Sequence, residues 1–395
     1  MNNIGTPRIY INMPQYYLAT GISKIQDYSS SDPPHPTNIM FGGSIALTTE
    51  ERYSMVGLDP SKQFQFPHGQ SENNPARWYT YFMPYFAFGG TGLWCGVFGH
   101  NFNSIGMYKA YIGFRPANDF GGGFQVQGAC HQSDPFTAGG EFTEYDGWSI
   151  KAGDAGNFPE AGWCHITVSN HTGTSELGYE GTTLTGDLKS GSWTMGSYFD
   201  FPHSPELNLT QSIEMGGLTK QQSVIGGSIS NSMQTPNMWG ELGAWELGRH
   251  EYWWDPSTWV EGISTVGKIG KRVWNLSFSY LESKDTLPIN ALGGSIADME
   301  DDPAGYTEGT DYYEGSLSDI FGTSGNPLGV LNGEDFFSAV WNKTLGAHLP
   351  FIFQPDKDNN NPDQFAICKF DQKSLQVKQV ANHIYNIKLK IREVY

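Results

Sequence analysis

Four groups of side chains in this chain could do chemistry, and spacing decides what each can do. Glu300, Asp301, Asp302, Glu308, Asp311 and Glu314 crowd into one acidic stretch, 298–314. Carboxylates at a fixed separation can act as general acid and base. No spacing here defines such a pair, and turn chemistry accounts for the stretch as a solvated acidic loop. A sharper reading is contact between subunits, the acidic loop of one copy against the mildly basic run Lys369–Arg392 of another. Asp356, Asp358 and Asn360 alternate as in the opening of a calcium loop, but the sharp-turn glycine is missing and Pro362 intrudes. His100, His131, His165 and His171 show no HExxH or Cys/His ligand spacing, and His100 reads as a capped strand-end histidine. Neither a GxSxG elbow, a Walker loop nor a dinucleotide-binding glycine pattern is present. No catalytic residue, metal or cofactor is expected, and the chain reads as a non-enzyme.

The fourth group is aromatic. Trp148, Trp239, Trp245, Trp253, Trp254 and Trp259 could stack on sugar rings, although tryptophan in β-proteins mostly fills cores and interfaces. The exception is HEYWWDPSTW at 250–259, framed by proline and acidic neighbours. Tyr252, Trp253, Trp254 and Trp259 are therefore the candidate binding interface.

These groups need elements to position them, and the ends of the chain are the best patterned. Tyr385, Ile387, Leu389 and Ile391 alternate with Asn386, Lys388, Lys390 and Arg392, the period-2 signature of a half-buried strand. Near the start Ile9, Ile11 and Met13 alternate with Arg8, Tyr10 and Asn12. Ile9, Ile11, Tyr385, Ile387, Leu389 and Ile391 are the expected strand-pairing residues, and both end strands are expected to pair within one domain and to offer edges to other subunits. Between them, strand-like runs recur through 78–202, and KRVWNLSFSYLE at 271–282 places Trp274, Leu276, Phe278 and Tyr280 on one expected core face. GEDFFSAVWNKTLG at 333–346 reads as a helix, with Phe336, Phe337, Val340 and Trp341 at helical spacing and Gly346 as its stop. A short helix is also expected near 15–25, and 41–77 reads as irregular.

Composition agrees with this. The chain has 395 residues, 49 of them glycine, with 14% aromatic and 16% charged, the profile of an all-β protein with many tight turns rather than of disorder. The expected fold is all-β, mainly an antiparallel β-sandwich with a few short helices, in several domains. These are an N-terminal strand and irregular arm at 1–77, a β-sandwich at 78–205 and a second β-rich domain at 206–395 completed by the last strand. A net charge of -18 argues against nucleic acid and anionic membrane as partners. Cys95, Cys130, Cys164 and Cys368 are too few and too dispersed for a disulfide framework. Neither a signal peptide nor a membrane-spanning run is expected.

Several stretches together resemble a family of tailed-bacteriophage virion proteins of the marine type. They are PRIYINMPQYYLATG, CGVFGHNFNS, EYDGWSI, GSYFDFPHSPELNLTQSIEMGG, MWGELGAWELG, GKRVWNLSFSYLE, HLPFIFQPDKDNNNPDQFAICKF and YNIKLKIREVY, which span most of the chain. The segment around FGHNF is similar to discoidin-like β-sandwich modules, and the pairing of both ends is similar to tail hub proteins such as the distal tail protein. The resemblance implies a virion component assembled in the host bacterial cytoplasm, at the tail tip, adaptor or a tail appendage. It would form a symmetric homo-oligomer and contact other virion proteins. Two other readings stand beside it: a carbohydrate-binding module for a host glycan, and a polysaccharide-degrading enzyme on a β-scaffold.

Overall fold

A computed structural model describes residues 5–21, 24–27, 39–43, 48–59, 64–66, 77–82, 92–100, 109–116, 131–132, 136–137, 147–154, 161–169, 187–214, 218–222, 228–232, 271–287, 335–360 and 364–394. In chain order the strands begin with β1 (Arg8–Ile11), β2 (Ile25–Asp27), β3 (Ile39–Gly43), β4 (Phe64–Phe66), β5 (Arg77–Phe82), β6 (Gly92–His100) and β7 (Lys109–Pro116). Next come β8 (His131–Gln132), β9 (Phe136–Thr137), β10 (Gly147–Asp154), β11 (Ala161–Ser169), β12 (Leu188–Ser190), β13 (Trp193–Asp200) and β14 (Thr210–Glu214). The last are β15 (Leu218–Gln222), β16 (Ser228–Ser232), β17 (Lys271–Glu282), β18 (Phe351–Gln354), β19 (Ala366–Phe370), β20 (Val377–Ala381) and β21 (Ile384–Glu393). With three short α-helices, α1 (Met13–Ala19), α2 (Thr49–Met55) and α3 (Ser283–Thr286), the fold is all-β.

A ten-stranded sheet runs in the order β10-β6-β13-β1-β18-β19-β21-β17-β14, with β20 beside β21. A seven-stranded sheet runs β2-β3-β5-β11-β7-β8, with β9 beside β7. Only β2–β3 is a parallel pair among the described strands. The ten-stranded sheet draws strands from all three segments that the sequence sets apart, 1–77, 78–205 and 206–395. Strands expected together at 78–205 divide between sheets: β6, β10 and β13 join the larger, β5, β7 and β11 the smaller.

Register fixes two faces on the larger sheet, because directly opposed residues share a side. Ile9 faces Phe199 and Phe353, and Ile11 faces Phe351. Across the sheet, Phe370 faces Ile391, and Ile391, Leu389 and Ile387 face Trp274, Leu276 and Phe278. This inner face is the core, and all twelve of these side chains are buried. Phe278 stacks on Phe201 with ring centroids 4.2 Å apart, and Trp274 meets Phe353 edge-on at 5.2 Å.

Residues 335–349 cover that face. Phe336 lies against Phe199 at 5.7 Å, Phe201 at 5.6 Å and Phe370 at 6.1 Å. The helix expected at 333–346 forms here as a π-helical turn, Phe337–Trp341, with Asn342 N–H donating to the Phe337 carbonyl at 2.8 Å. Five-residue steps repeat where Gly346 N–H donates to Trp341 at 2.8 Å. Gly346 has φ +67°, a left-handed conformation that ends the coil and suits glycine. Asp335 Oδ1 accepts from Ser338 N–H at 2.9 Å and so caps the coil's start.

Three expectations are corrected. Tyr280 is not in the core: it is 79% exposed at φ +63°, where a bulge breaks the register between Phe278 and Leu281 and Leu281 takes the inward place. The region 41–77 is not wholly irregular, because α2 forms there under a capping box in which Thr48 and Glu51 bond each other's backbone N–H. The helix expected near 15–25 starts earlier, as α1. Asn12 caps it and Pro14 stands in its first turn.

Two outcomes test this core. Phe278→Ala removes a fully buried ring and should cost about 3–5 kcal/mol in urea unfolding; a loss under about 1 kcal/mol would place β17 outside the core. Lys343, within the cover, is 2% exposed, and burial pulls its ammonium down from 10.5 to about 7, with Asp335 opposing. The unfolded chain then carries a proton that the folded one lacks between about pH 7 and pH 10, so stability should rise with pH across that window by on the order of 1 kcal/mol per unit. The rise should end above pH 10, where burial holds Tyr10 protonated up to about 12 in the fold and the balance reverses. Lys343→Met should flatten the slope in urea titrations at pH 7, 8.5 and 10.

Candidate interaction surface

The strand-pairing residues all lie in the ten-stranded sheet. β1 is paired on both sides, with β13 (Arg8 opposite Asp200) and with β18 (Arg8 opposite Gln354). Ile9 and Ile11 point to the inner face, while Tyr10 is buried on the other. Tyr10 Oη donates to Gln354 Oε1 at 2.7 Å, and its ring meets Trp94 at 5.5 Å. Gln354 Nε2 donates in turn to the Asn359 carbonyl at 3.0 Å, which ties the 356–360 turn to the sheet. That turn closes on itself: Asp358 N–H donates to Asp356 Oδ1 at 3.1 Å.

Arg8 clamps this end. Its Nε and Nη2 donate to the two Asp200 oxygens at 2.5 and 2.8 Å, and its guanidinium sits 4.0 Å from the Tyr198 ring centre. Burial, the largest single influence, would pull the guanidinium down, but the hydrogen bonds and charges of Asp200 and Tyr10 together outweigh it and hold it above its ordinary value. Lys357 Nζ adds a weaker contact to Asp200 at 3.4 Å. Gly196 is required beside this junction, since a Cβ there would strike the Ile11 carbonyl and Met13. Trp94 Nε1 donates to that same Ile11 carbonyl at 3.0 Å.

β21 is likewise flanked on both sides, by β17 and by β19 and β20. Tyr385, Ile387, Leu389 and Ile391 are buried, Lys388 and Arg392 are exposed, and Lys390 is half-buried. Glu393 next to them is fully buried. Its Oε2 accepts from Arg272 N–H at 2.9 Å and Nε at 3.2 Å, and its Oε1 accepts from Nη2 at 3.2 Å. Arg272 also donates to the Phe365 carbonyl at 2.9 Å and lies 5.2 Å from the Trp274 ring centre.

This placement corrects two expectations. The first and last strands share a sheet but do not pair with each other, because β18 and β19 lie between them. Neither offers an edge, since a strand paired on both sides has its ladder groups satisfied. The outermost described strands are β10 and β14, and all of β14 but half-buried Glu214 is exposed.

The remaining candidates fare differently. Tyr252, Trp253, Trp254 and Trp259 lie outside the described residues, as does the acidic stretch 298–314. His100 is the buried last residue of β6. Among the described residues no cluster of His, Cys, Asp or Glu could hold a metal ion, and no helix is long and apolar enough to cross a membrane. The two guanidinium clamps, Arg8–Asp200 and Arg272–Glu393, were not read from sequence, because their partners are 192 and 121 residues apart. The only local hint was a charged residue opening each of two aromatic strands.

No family model, curated protein or solved structure matches the chain.

The Arg272–Glu393 pair yields a directional test. Glu393→Ala leaves a guanidinium without its carboxylate and should cost about 3–5 kcal/mol in urea unfolding. Replacing both partners with leucine should cost much less than the two single changes added together. Additive losses would mean the charges do not act on each other.

Proposed function

We propose that the chain is a non-catalytic structural component of a tailed-phage virion, at the tail tip, adaptor or a tail appendage. It would act through contacts between its own copies and with neighbouring virion proteins. One observation supports this reading above others. The stretches that carry the family resemblance coincide with strands of the larger sheet: PRIYINMPQYYLATG holds β1 and α1, GSYFDFPHSPELNLTQSIEMGG holds the end of β13 and β14, and GKRVWNLSFSYLE holds β17. HLPFIFQPDKDNNNPDQFAICKF holds β18 and β19, and YNIKLKIREVY holds β21. What the resemblance covers is therefore architecture, with the strand order and the faces it creates.

Mass spectrometry and immunogold microscopy of purified particles test the proposal. The protein should appear in fixed copy number and label the tail; particles that lack it would sink the reading. Trp253→Ala with Trp254→Ala should leave the monomer folded, by unchanged circular dichroism and melting, and lower its incorporation into particles at least several-fold, since large aromatics concentrate interface energy. Full incorporation would remove 250–259 from the assembly contacts. Binding on a glycan array that these changes abolish would favour the receptor reading, and carboxylate-dependent breakdown of a host polysaccharide would favour the enzyme.

A further inference from the structure

Lys388, Lys390 and Arg392 share the face of β21 that points away from the core, and they gather other cations around them. Lys369 on β19 sits directly opposite Arg392, and Lys378 on β20 sits opposite Asn386 of the same row. Like charges directly opposed in a sheet repel, so this arrangement costs stability unless something offsets it. Two of the five have a carboxylate: Lys390 meets Asp371 at 2.7 Å, and Arg392 meets Glu214 at 2.6 Å. Among the described residues no carboxylate pairs with Lys369, Lys378 or Lys388.

A wet sheet face needs polarity, not this much charge. On the same side the neighbouring strands use Asn275 and Ser277 in β17 and Thr210 and Ser212 in β14. Lys271 at the start of β17 is occupied with the Val394 carbonyl at 2.6 Å. The cations are concentrated on β19, β20 and β21 in a chain that is otherwise strongly acidic. Six of its 23 Lys and Arg, but one of its 41 Asp and Glu, fall between Lys369 and Arg392. The stretch 298–314 is the converse, with seven carboxylates and no Lys or Arg.

We propose that this cationic half-face of the sheet docks the acidic stretch 298–314 of a second copy of the chain. The inference rests on the self-association put forward above and gives it a surface and a direction. Surface and occupant are different parts of the molecule, so the contact is heterologous and propagates head to tail into a ring, or into a filament if the rotation does not close.

The experiment uses full-length protein and two charge reversals. One variant carries Lys378→Glu and Lys388→Glu, both at exposed positions. The other carries Asp301→Lys, Asp302→Lys and Glu308→Lys. Sedimentation velocity at about 0.1 M and 1 M salt, where the screening length falls from about 10 to 3 Å, should show wild-type oligomers dissociating as salt rises. Each variant alone should remain folded and associate at least tenfold more weakly, and mixing the two should restore hetero-association. Failure of the mixture to associate overturns the proposal, as does rescue only when both reversals are in one chain, which would place the contact within a monomer. Binding of a single-stranded oligonucleotide at about 0.15 M salt by wild-type protein that does not self-associate, lost in Lys378→Glu/Lys388→Glu, would also overturn it in favour of a nucleic-acid surface. Particle incorporation of the wild-type protein separates the two ideas. Failed mixing with normal incorporation defeats this contact alone, whereas successful mixing of a protein absent from particles defeats only the virion reading.

Discussion

Phe201 and Phe278 lie face to face at 4.2 Å, and three distant parts of the chain meet around that contact. Phe201 follows β13, Phe278 belongs to β17, and Phe336, 5.6 Å from Phe201, opens the cover over both. Aromatic pairs at these separations add to the apolar area they bury. Here they decide which segments become neighbours. The cover can seat only if β13 and β19 present Phe199, Phe201 and Phe370 to Phe336, with Phe278 of β17 stacked on Phe201. The buried Lys343 and the π-helical steps are then tolerated, because the ring contacts fix where the coil must lie.

The sequence was most legible where one face is wet. In β21 the alternation of Ile387, Leu389 and Ile391 with Lys388, Lys390 and Arg392 carries over into burial residue by residue, since a one-residue slip would bury lysines. It was least legible where both faces are covered. In β1, Ile9, Tyr10 and Ile11 are all buried, so alternation there says little about which side is which. Tyr280 misled for a different reason: period-2 counting assumes an unbroken pleat, and the bulge resets the count. Thr48–Glu51 was a local signal that could have been found, being a capping box ahead of α2. The guanidinium clamps could not, because they join residues whose adjacency exists only once the sheet order is known.

The larger sheet is chemically uneven along its width. Around β13, β1 and β18 both faces are closed, and buried polar side chains are tied across strands, Tyr10 to Gln354 and Arg8 to Asp200. Around β21 and β17 the inner face is closed and the other face of β21 carries cations, while β14 beyond them is exposed on both faces. One part of the sheet thus spends its side chains on internal order, and the other leaves them available for contact.

The place of β1 has a kinetic consequence. It lies between β13 and β18, and the Tyr10–Gln354 bond closes a separation of 344 residues. Closing a loop of that length costs more entropy than a hairpin does, and nothing repays it until strands on both sides are ready. Until then Ile9, Tyr10 and Ile11 form a sticky, apolar ribbon with open backbone groups. Refolding from denaturant should accordingly be slow and strongly concentration-sensitive, with aggregation competing for the vacant slot between β13 and β18. A solitary peptide carrying residues 5–21, added during refolding, is the natural competitor for that slot.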